Sequence, residues 1–580
     1  MKTSNQLRDS LHQIDRKGYP AYKSLAGAWR FPSYDLFIDH GQGDPFASPS
    51  DLHVELPLGQ AGLPAESYHS ACSKTALEDY LLRQLAGKFE QFNFKAKGSG
   101  KSGLIAITRP GQEVYKRSSC EINDKNVIVR FRVGFPAYGR TIQAGELERI
   151  LFDFLPQCIE QSLFYKSLDK KKVQEAVYLA EDQTALRELM KENDMVSFVE
   201  NGAVLPRKSG ISNLPMKDSI PFASPDTMLV TFNLPHRGEI KGMGISKGIT
   251  LIVGGGYHGK STLLEAVQNG IYNHIAGDGR EFVLTDETAL KLRAEDGRSI
   301  RNVDISLFIK DLPNGKDTGK FCTLDASGST SQAANIIEGI EAGSRLFLID
   351  EDTSATNFMV RDELMQQVIH RDKEPITPFL ERATEMYLEN GISTILVAGS
   401  SGAFFYIADK ILQMDSYRPM DITDSVKELC ENYSAPRISV EGYAIPEFKR
   451  ILPSYVSKKK SGGRGRRGSD RGQQGEDRRQ KSMKVKVFGT DSFSLDKETV
   501  DVRYVEQLVD SEQLTMLAYV MRKILEESLD GRRTVSQIVS YVWEKIEKDG
   551  FEPFCTRFVP SGLAMPRIQE IYSCLNRFRG

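Results

Sequence analysis

The sequence predicts an α/β core between an α+β N-terminal domain and a mostly helical C-terminal domain, and three observations fix the core. Ile249-Thr250-Leu251-Ile252-Val253 is a short apolar run that reads as a buried strand. Leu263, Leu264, Val267 and Ile271 fall on one stripe of a helix. Between them, residues 254–261 read Gly-Gly-Gly-Tyr-His-Gly-Lys-Ser and satisfy G-x-x-x-x-G-K-[ST] at every fixed position. A glycine loop passing from strand to helix aims successive backbone N–H groups and the positive end of the helix dipole at one point, where a phosphate binds.

The candidate nucleotide contacts are therefore Gly254, Gly255, Gly256, Tyr257, His258, Gly259, Lys260, Ser261 and Thr262. Lys260 reaches the β/γ-phosphates of ATP and the Ser261 hydroxyl suits Mg²⁺. The His258 ring is a weak candidate base, because the loop uses its backbone N–H.

Residues 1–225 form the N-terminal domain, mixing amphipathic helices such as 76–89 with strands such as 127–133. Gly98-Ser99-Gly100-Lys101-Ser102 imitates the end of the loop motif, but Lys95 stands where the first glycine is required. A strand-like run, not a helix, follows it, so it predicts a hairpin or basic surface loop. The Asp39-His40 and Asp44-Pro45 turn reads as a polar strand end closed by side-chain bonds in preference to a metal site.

The core spans 226–445. Phe232, upstream of the loop, is either an adenine-stacking aromatic or a core phenylalanine. Arg345-Leu346-Phe347-Leu348-Ile349-Asp350-Glu351 is an apolar strand ending in two carboxylates. Asp350 suits Mg²⁺ coordination and Glu351 suits orienting and polarising the attacking water. The run Glu374-Pro375-Ile376-Thr377-Pro378 interrupts the approach to the last core strands and offers a docking surface.

Residues 446–486 form a basic linker. Lys458 to Lys486 holds twelve basic residues against three acidic ones, a net +9; the whole chain is −2, so the remainder carries −11. Its glycine, serine and glutamine content predicts disorder. Arg/Gly segments of this kind pair with phosphates and stack on exposed bases, so single-stranded RNA is the expected partner. No groove-reading motif favours duplex DNA. Residues 487–580 read as helices at 510–528 and 534–548, with Gly550 as a stop, and a final helix whose arginines complement its dipole.

Asp350 to Asn357 resembles the DEPTSALD stretch of ABC-class ATPases at five of eight positions. Ala326-Ser327-Gly328-Ser329-Thr330-Ser331-Gln332 resembles the signature loop of that class, and Ser327 lies 23 residues before Asp350. Ser327 and Ser331 both suit capping of the helix that follows. Lys241 to Ile245, Ala294 to Arg298, Gly134 to Arg140, Leu205 to Gly210 and Ala564 to Arg567 extend the resemblance over most of the chain, to the soluble predicted ATPases of the ABC class. That family includes members linked to RNA handling. The resemblance departs at Ala398-Gly399-Ser400-Ser401, where Gly399 stands in place of a switch histidine, and no Q-loop glutamine is evident.

The resemblance implies a homodimer, with Ser327, Gly328 and Ser329 of one subunit closing on ATP held by Lys260 of the other. The expected function is coupling of Mg²⁺-ATP binding and hydrolysis to a clamp motion on RNA. A nucleotide-gated RNA- or protein-binding scaffold with little turnover is the alternative, and a P-loop small-molecule kinase a third reading. With 580 residues and 40% hydrophobic content, three or four domains are expected. No run of about 18 apolar residues predicts a membrane span. The polar first residues and seven cysteines without a C-x-x-C pair suit a cytoplasmic protein with reduced thiols.

Overall fold

The computed structural model describes residues 1–361, 368, 373–433, 435–436, 442–455 and 482–579. The basic segment therefore lies outside the described residues, except for Ser482 to Lys486.

The strand expected at 127–133 is Asn126–Val133, inside a seven-stranded sheet where it pairs with Ser50–Pro57 along its whole length. Both strands alternate between buried and partly exposed residues, as a sheet with one covered face requires. The helix expected at 76–89 is Ala71–Phe92, started by a Ser70 capping box, and it packs Leu77, Leu81, Leu85 and Phe89 into that face. The motif-like loop 98–102 is followed by Ile105–Ala106, a strand, and Ser99 N–H donates to Ala137 O at 2.7 Å, so it is a packed turn and no anion cradle.

Glu78 sits in this packing at 3% exposure, accepting from Ile122 N–H at 2.7 Å while its Oε2 has no partner. Burial pushes its carboxyl up to about 7, so ionising it destabilises the fold as pH rises through the interval between the ordinary glutamate value and 7. We predict that Glu78→Gln raises stability by roughly 3 kcal/mol at pH 8 and not at all below the ordinary glutamate value. Denaturant midpoints of both proteins across pH measure this; a gain independent of pH would refute the account.

The core sheet contains β1 (Ile249–Val253), β2 (Leu290–Leu292), β3 (Leu346–Asp350), β4 (Ser393–Val397), β5 (Lys410–Asp415) and β6 (Arg418–Asp421). Its order is β2-β3-β4-β1-β5-β6, parallel except for the β5–β6 hairpin. β1, β3 and β4 are buried on both faces, and apolar clusters fill both sides, as a parallel sheet requires. Helix α1 (Lys260–Asn269) follows the glycine loop, and α2 (Gly328–Glu341) follows the signature-like loop. β4 thus lies between the strand that feeds the loop and the strand that ends in Asp350.

Segments before residue 225 also contribute to the core. Met195–Glu200 is an inner strand of the four-stranded antiparallel sheet completed by 229–234, 238–246 and 283–285. Buried Arg187, on the helix Lys170–Glu192, donates to the carbonyls of Thr285 and Gly270. Residues from about 169 onward therefore pack with the core. Ile309 and Ile376 pair in a β-bridge, and Lys310 N–H donates to Pro375 O and Thr377 N–H to Phe308 O. The interruption at 374–378 is thus pinned to the core through its backbone.

In the C-terminal domain the expected helices are Ser511–Lys523, Val535–Asp549 and Ile568–Arg577, and a three-stranded meander over 485–501 precedes them. Arg577, in the last turn of the last helix, donates to Ser573 O at 3.0 Å, as dipole compensation expects, and it also reaches beyond the helix. Arg577, 9% exposed, bonds Glu295 and Asn335, and Arg567 donates to the carbonyls of Glu287 and Ala289. Arg298 bonds Asn335 and Glu338 in the same cluster, so the last helix is fastened to α2 through buried ion pairs. On the other side, Arg117 of the N-terminal domain is 2% exposed and pairs with Asp510 at 2.6 Å and Glu512 at 2.9 Å.

Candidate nucleotide site

The glycine loop closes around its own lysine. Lys260 Nζ donates to Gly254 O at 2.7 Å and Gly255 O at 2.8 Å, which holds the ammonium inside the curve of the loop. Gly254 has φ +139° and a Cβ there would lie 2.5 Å from Met414 O, so only glycine lets β1 turn into the loop. Gly259, at φ +98°, is the N-cap of α1, and no side chain caps that end. The first amides of α1 are therefore free for an anion. Ser261 is exposed on this first turn, Thr262 is half-buried beside it, and Gly255, Gly256 and Tyr257 form the exposed crown of the loop.

The His258 ring is engaged by the β5–β6 turn. Its Nδ1 lies 2.9 Å from Ser416 N and 3.0 Å from Asp415 Oδ1, and its carbonyl accepts from Tyr417 N–H at 3.0 Å. These contacts stitch the loop to the β5–β6 turn, giving the ring a structural task.

At the end of β3, Asp350 Oδ1 accepts from Asp352 N–H at 3.1 Å. Glu351 is held by the turn after β4: Oε2 accepts from Gly399 N–H at 2.7 Å and Ser400 N–H at 3.0 Å, and Oε1 from the Ser400 hydroxyl at 2.5 Å. Burial pushes its carboxyl up, but the bonds from the Ser400 hydroxyl and the 399–401 amides outweigh it and hold the group below the ordinary glutamate value. Gly399, which stands in place of a switch histidine, thus donates through its backbone to the second carboxylate. The insertion of β4 between β1 and β3 makes this possible, and nothing in the local sequence of either segment announces it.

Hydroxyl and carboxylate oxygens are the donors a hard cation takes, so Ser261 and Asp350 fit Mg²⁺ by chemistry. The described residues contain no cluster of three or more His, Cys, Asp or Glu arranged to hold a metal.

In the signature-like loop, Ser327 caps α2 by accepting from Thr330 N–H. Ser331 does not cap; its hydroxyl donates to Gly328 O at 2.8 Å and accepts from Glu295 N–H at 2.8 Å. Ser327 is exposed and Gly328 half-buried, whereas Ser329 is buried with its hydroxyl turned inward to Asn357 at 2.9 Å. Phe232 faces the helix 170–192: it is 9% exposed, packs near Phe198 and joins Leu186 and Met190 in one apolar cluster. It is a core residue and no adenine platform.

Residues 169–450 match the family model of the ABC ATPase P-loop domain, residues 4–166 that of the N-terminal domain of ATPases of the ABC class, and residues 484–580 that of the MRB1590 C-terminal domain. The uncharacterized protein MJ1628 of Methanocaldococcus jannaschii is 29% identical over 272 residues, 43% of this chain and 58% of that protein. The chain thus spans less than two thirds of that relative's length. Among solved structures, CbiO1 from Clostridium perfringens, part of the ABC transporter complex cbiONQ, is 16% identical, with 41% of this chain and 94% of that chain covered and a TM-score of 0.26. MJ1267 in its ADP conformation, an ATP-binding cassette of an ABC transporter, is 10% identical, with 41% and 95% covered and a TM-score of 0.25. No helix among the described residues is long and apolar enough to cross a membrane. With its first 450 residues matched almost without a gap by the N-terminal and P-loop models, the chain belongs to the ABC-class ATPases.

Proposed function

We propose that this protein is a cytoplasmic homodimeric ATPase that couples ATP binding and hydrolysis to a clamp motion on single-stranded RNA. The observation that carries the chemistry is the uncapped start of α1 with Lys260 inside its loop, alongside a strand that ends in two carboxylates. In this reading the amides of 255–260 and Lys260 bind the β/γ-phosphates and stabilise the charge that grows on them during cleavage. Ser261 and Asp350 would hold Mg²⁺, which neutralises phosphate charge when bound. Glu351 orients the attacking water; its depressed carboxyl keeps it ionised throughout the neutral range.

One chain has one glycine loop and one signature-like loop, so a head-to-tail pair completes two sites with closed symmetry. Exposed Ser327 and half-buried Gly328 are the surfaces offered to the partner's nucleotide, with Ser329 behind them. The concentration of +9 charge within 458–486 supports RNA as the client.

Phosphate release from Mg²⁺-ATP with and without single-stranded RNA tests the coupling, and stimulation by RNA is expected. Glu351→Gln is expected to convert the protein to a stable dimer on adding ATP, as read by light scattering. Equal dimerisation with and without ATP would defeat the scheme. A second reading, a nucleotide-gated scaffold with little turnover, is favoured by the three donors that already occupy Glu351. It takes precedence if ATP binds and phosphate release stays at the level of Lys260→Ala.

A further inference from the structure

The glycine loop and the signature-like loop each start a helix, and both helices end on the C-terminal domain. α1 runs ten residues, about 15 Å, from the glycine loop. At its far end the Gln268 amide donates to Glu506 O and the Gln507 amide donates to Gln268 O, both at 3.3 Å. Tyr272, three residues past the helix, then reaches into the C-terminal domain. Its hydroxyl lies 2.8 Å from Gln507 O and 3.1 Å from Glu570 Oε1, and accepts from the Gln513 amide at 2.9 Å. Just past the end of α2, Ala342 O accepts from the Gln569 amide at 3.4 Å. Gln569 and Glu570 are neighbours in the last helix, so a single turn of it grips the ends of both α1 and α2.

The joint around Tyr272 is buried and matched group for group. Gln507, Gln513 and Glu570 are each at most 2% exposed. Gln507 Oε1 accepts from Lys291 N–H of β2 at 3.1 Å and from Arg567 at 3.2 Å, and Glu570 accepts from Arg567 at 3.0 Å. A buried polar group that loses its partner suffers its full desolvation penalty, so such a network moves as a unit or breaks. It also reaches the N-terminal domain. Gln513 lies in the turn whose Asp510 and Glu512 hold Arg117, Tyr115 OH donates to Asp510 at 3.1 Å, and the rings of Tyr115 and Tyr272 are 5.4 Å apart.

At the other end of α1, Lys260 is held by the carbonyls of Gly254 and Gly255. A phosphate in the loop draws off that ammonium and takes the first amides of α1, so the start of the helix is loaded differently when the loop is filled. Its backbone bonds and its buried Leu263, Leu264 and Val267 make α1 stiff, and a stiff rod displaced at one end moves at the other. We propose that Tyr272 is a relay: filling of the glycine loop shifts α1, and Tyr272 passes the shift into segments 506–513 and 568–577 and, through the Gln513 turn, to Arg117 in the N-terminal domain. The last helix, because it also holds the end of α2, then adjusts the signature-like loop to the state of the glycine loop. The proposal rests on the reading of residues 254–261 as a nucleotide-binding loop, and one measurement reports on the two separately.

Hydrogen exchange over the full chain, read by mass spectrometry with and without Mg²⁺-ATP, is the test. ATP is expected to slow exchange at 254–262 and, by about fivefold or more, at 114–119, 506–513 and 568–577, the lower end of ordinary coupling between sites. In Tyr272→Phe, which removes one hydroxyl and keeps the ring, the slowing at 254–262 persists and that at the three distant segments disappears. Gln513→Met, a second cut beyond the tyrosine, should lose the slowing at 114–119 and keep it at 568–577; it also serves if Tyr272→Phe does not fold. Slowing confined to 254–262 in the parent would overturn the relay. So would distant slowing that survives in Tyr272→Phe, the pattern that a direct contact between two subunits leaves. If ATP slows nothing, even at 254–262, the loop reading falls and the relay with it.

Discussion

Lys260→Ala is expected to lower any turnover of ATP by about 10²–10³-fold, the loss that follows when one preorganised charge-stabilising donor is removed from a site. The ammonium is positioned before any phosphate arrives, since the carbonyls of Gly254 and Gly255 hold it within the loop. A phosphate takes over those contacts with little reorganisation, and preorganisation of this kind is what makes a fixed charge effective in the transition state. Lys260→Arg should fare almost as badly, because a planar fork does not fit where a compact point charge is cupped by two carbonyls. Steady-state phosphate release, with circular dichroism to establish that each variant is folded, gives the comparison. Turnover within tenfold of the parent would remove Lys260 from the chemistry.

Arg577→Met is the largest expected effect on stability. It strips Glu295, 5% exposed, of its strongest partner and leaves the buried carboxylate with only Arg298 nearby and the Asn335 amide, at a cost of about 3 kcal/mol. Burial pushes the Glu295 carboxyl up, but Arg577 and Arg298 outweigh it and hold the group below the ordinary glutamate value. The ion pair therefore contributes fully above that ordinary value, and its contribution is lost as pH falls through the depressed one. Parent and variant should differ most at neutral pH and converge in acid. Glu295→Gln combined with Arg577→Met should recover much of the loss, because both charged partners are then gone. Urea midpoints at pH 7 and in acid decide it; a loss below about 1 kcal/mol at neutral pH would mean the pair is no more than a surface bridge in effect.

The parts of this protein legible in its sequence are those written in consecutive residues. The strand 249–253, the loop 254–261 and the helix after it all stand where periodicity and the motif put them, because their geometry is decided within about twenty residues. The helices at 510–528 and 534–548 were likewise legible, and Asp510 and Thr534 cap the helices that follow them. Contacts between distant segments were not legible. Ser400 is 49 residues from Glu351, and the two meet only because β4 is inserted beside β3. Arg577 reads locally as dipole compensation, and only docking of the last helix on α2 reveals Glu295 as its partner across 282 residues. Phe232 stands at a plausible distance along the chain from the loop, yet the pleat of its strand turns the ring to the helix 170–192. The strand 195–200 gave no sign of its sheet partners 238–246 and 283–285.

The Arg117 clasp has a consequence for how the chain is made. Arg117 and Asp510 are 393 residues apart, so on a ribosome adding about 5–20 residues per second the guanidinium waits roughly 20–80 s for its partner to be synthesised. Throughout that interval the N-terminal domain presents the Arg117 guanidinium and the hydroxyls of Ser118 and Ser119 without their C-terminal partners. A nascent or truncated chain that ends before residue 510 is without those partners permanently. The final domain thus supplies the carboxylates that neutralise Arg117, and a chain lacking it leaves that guanidinium without them.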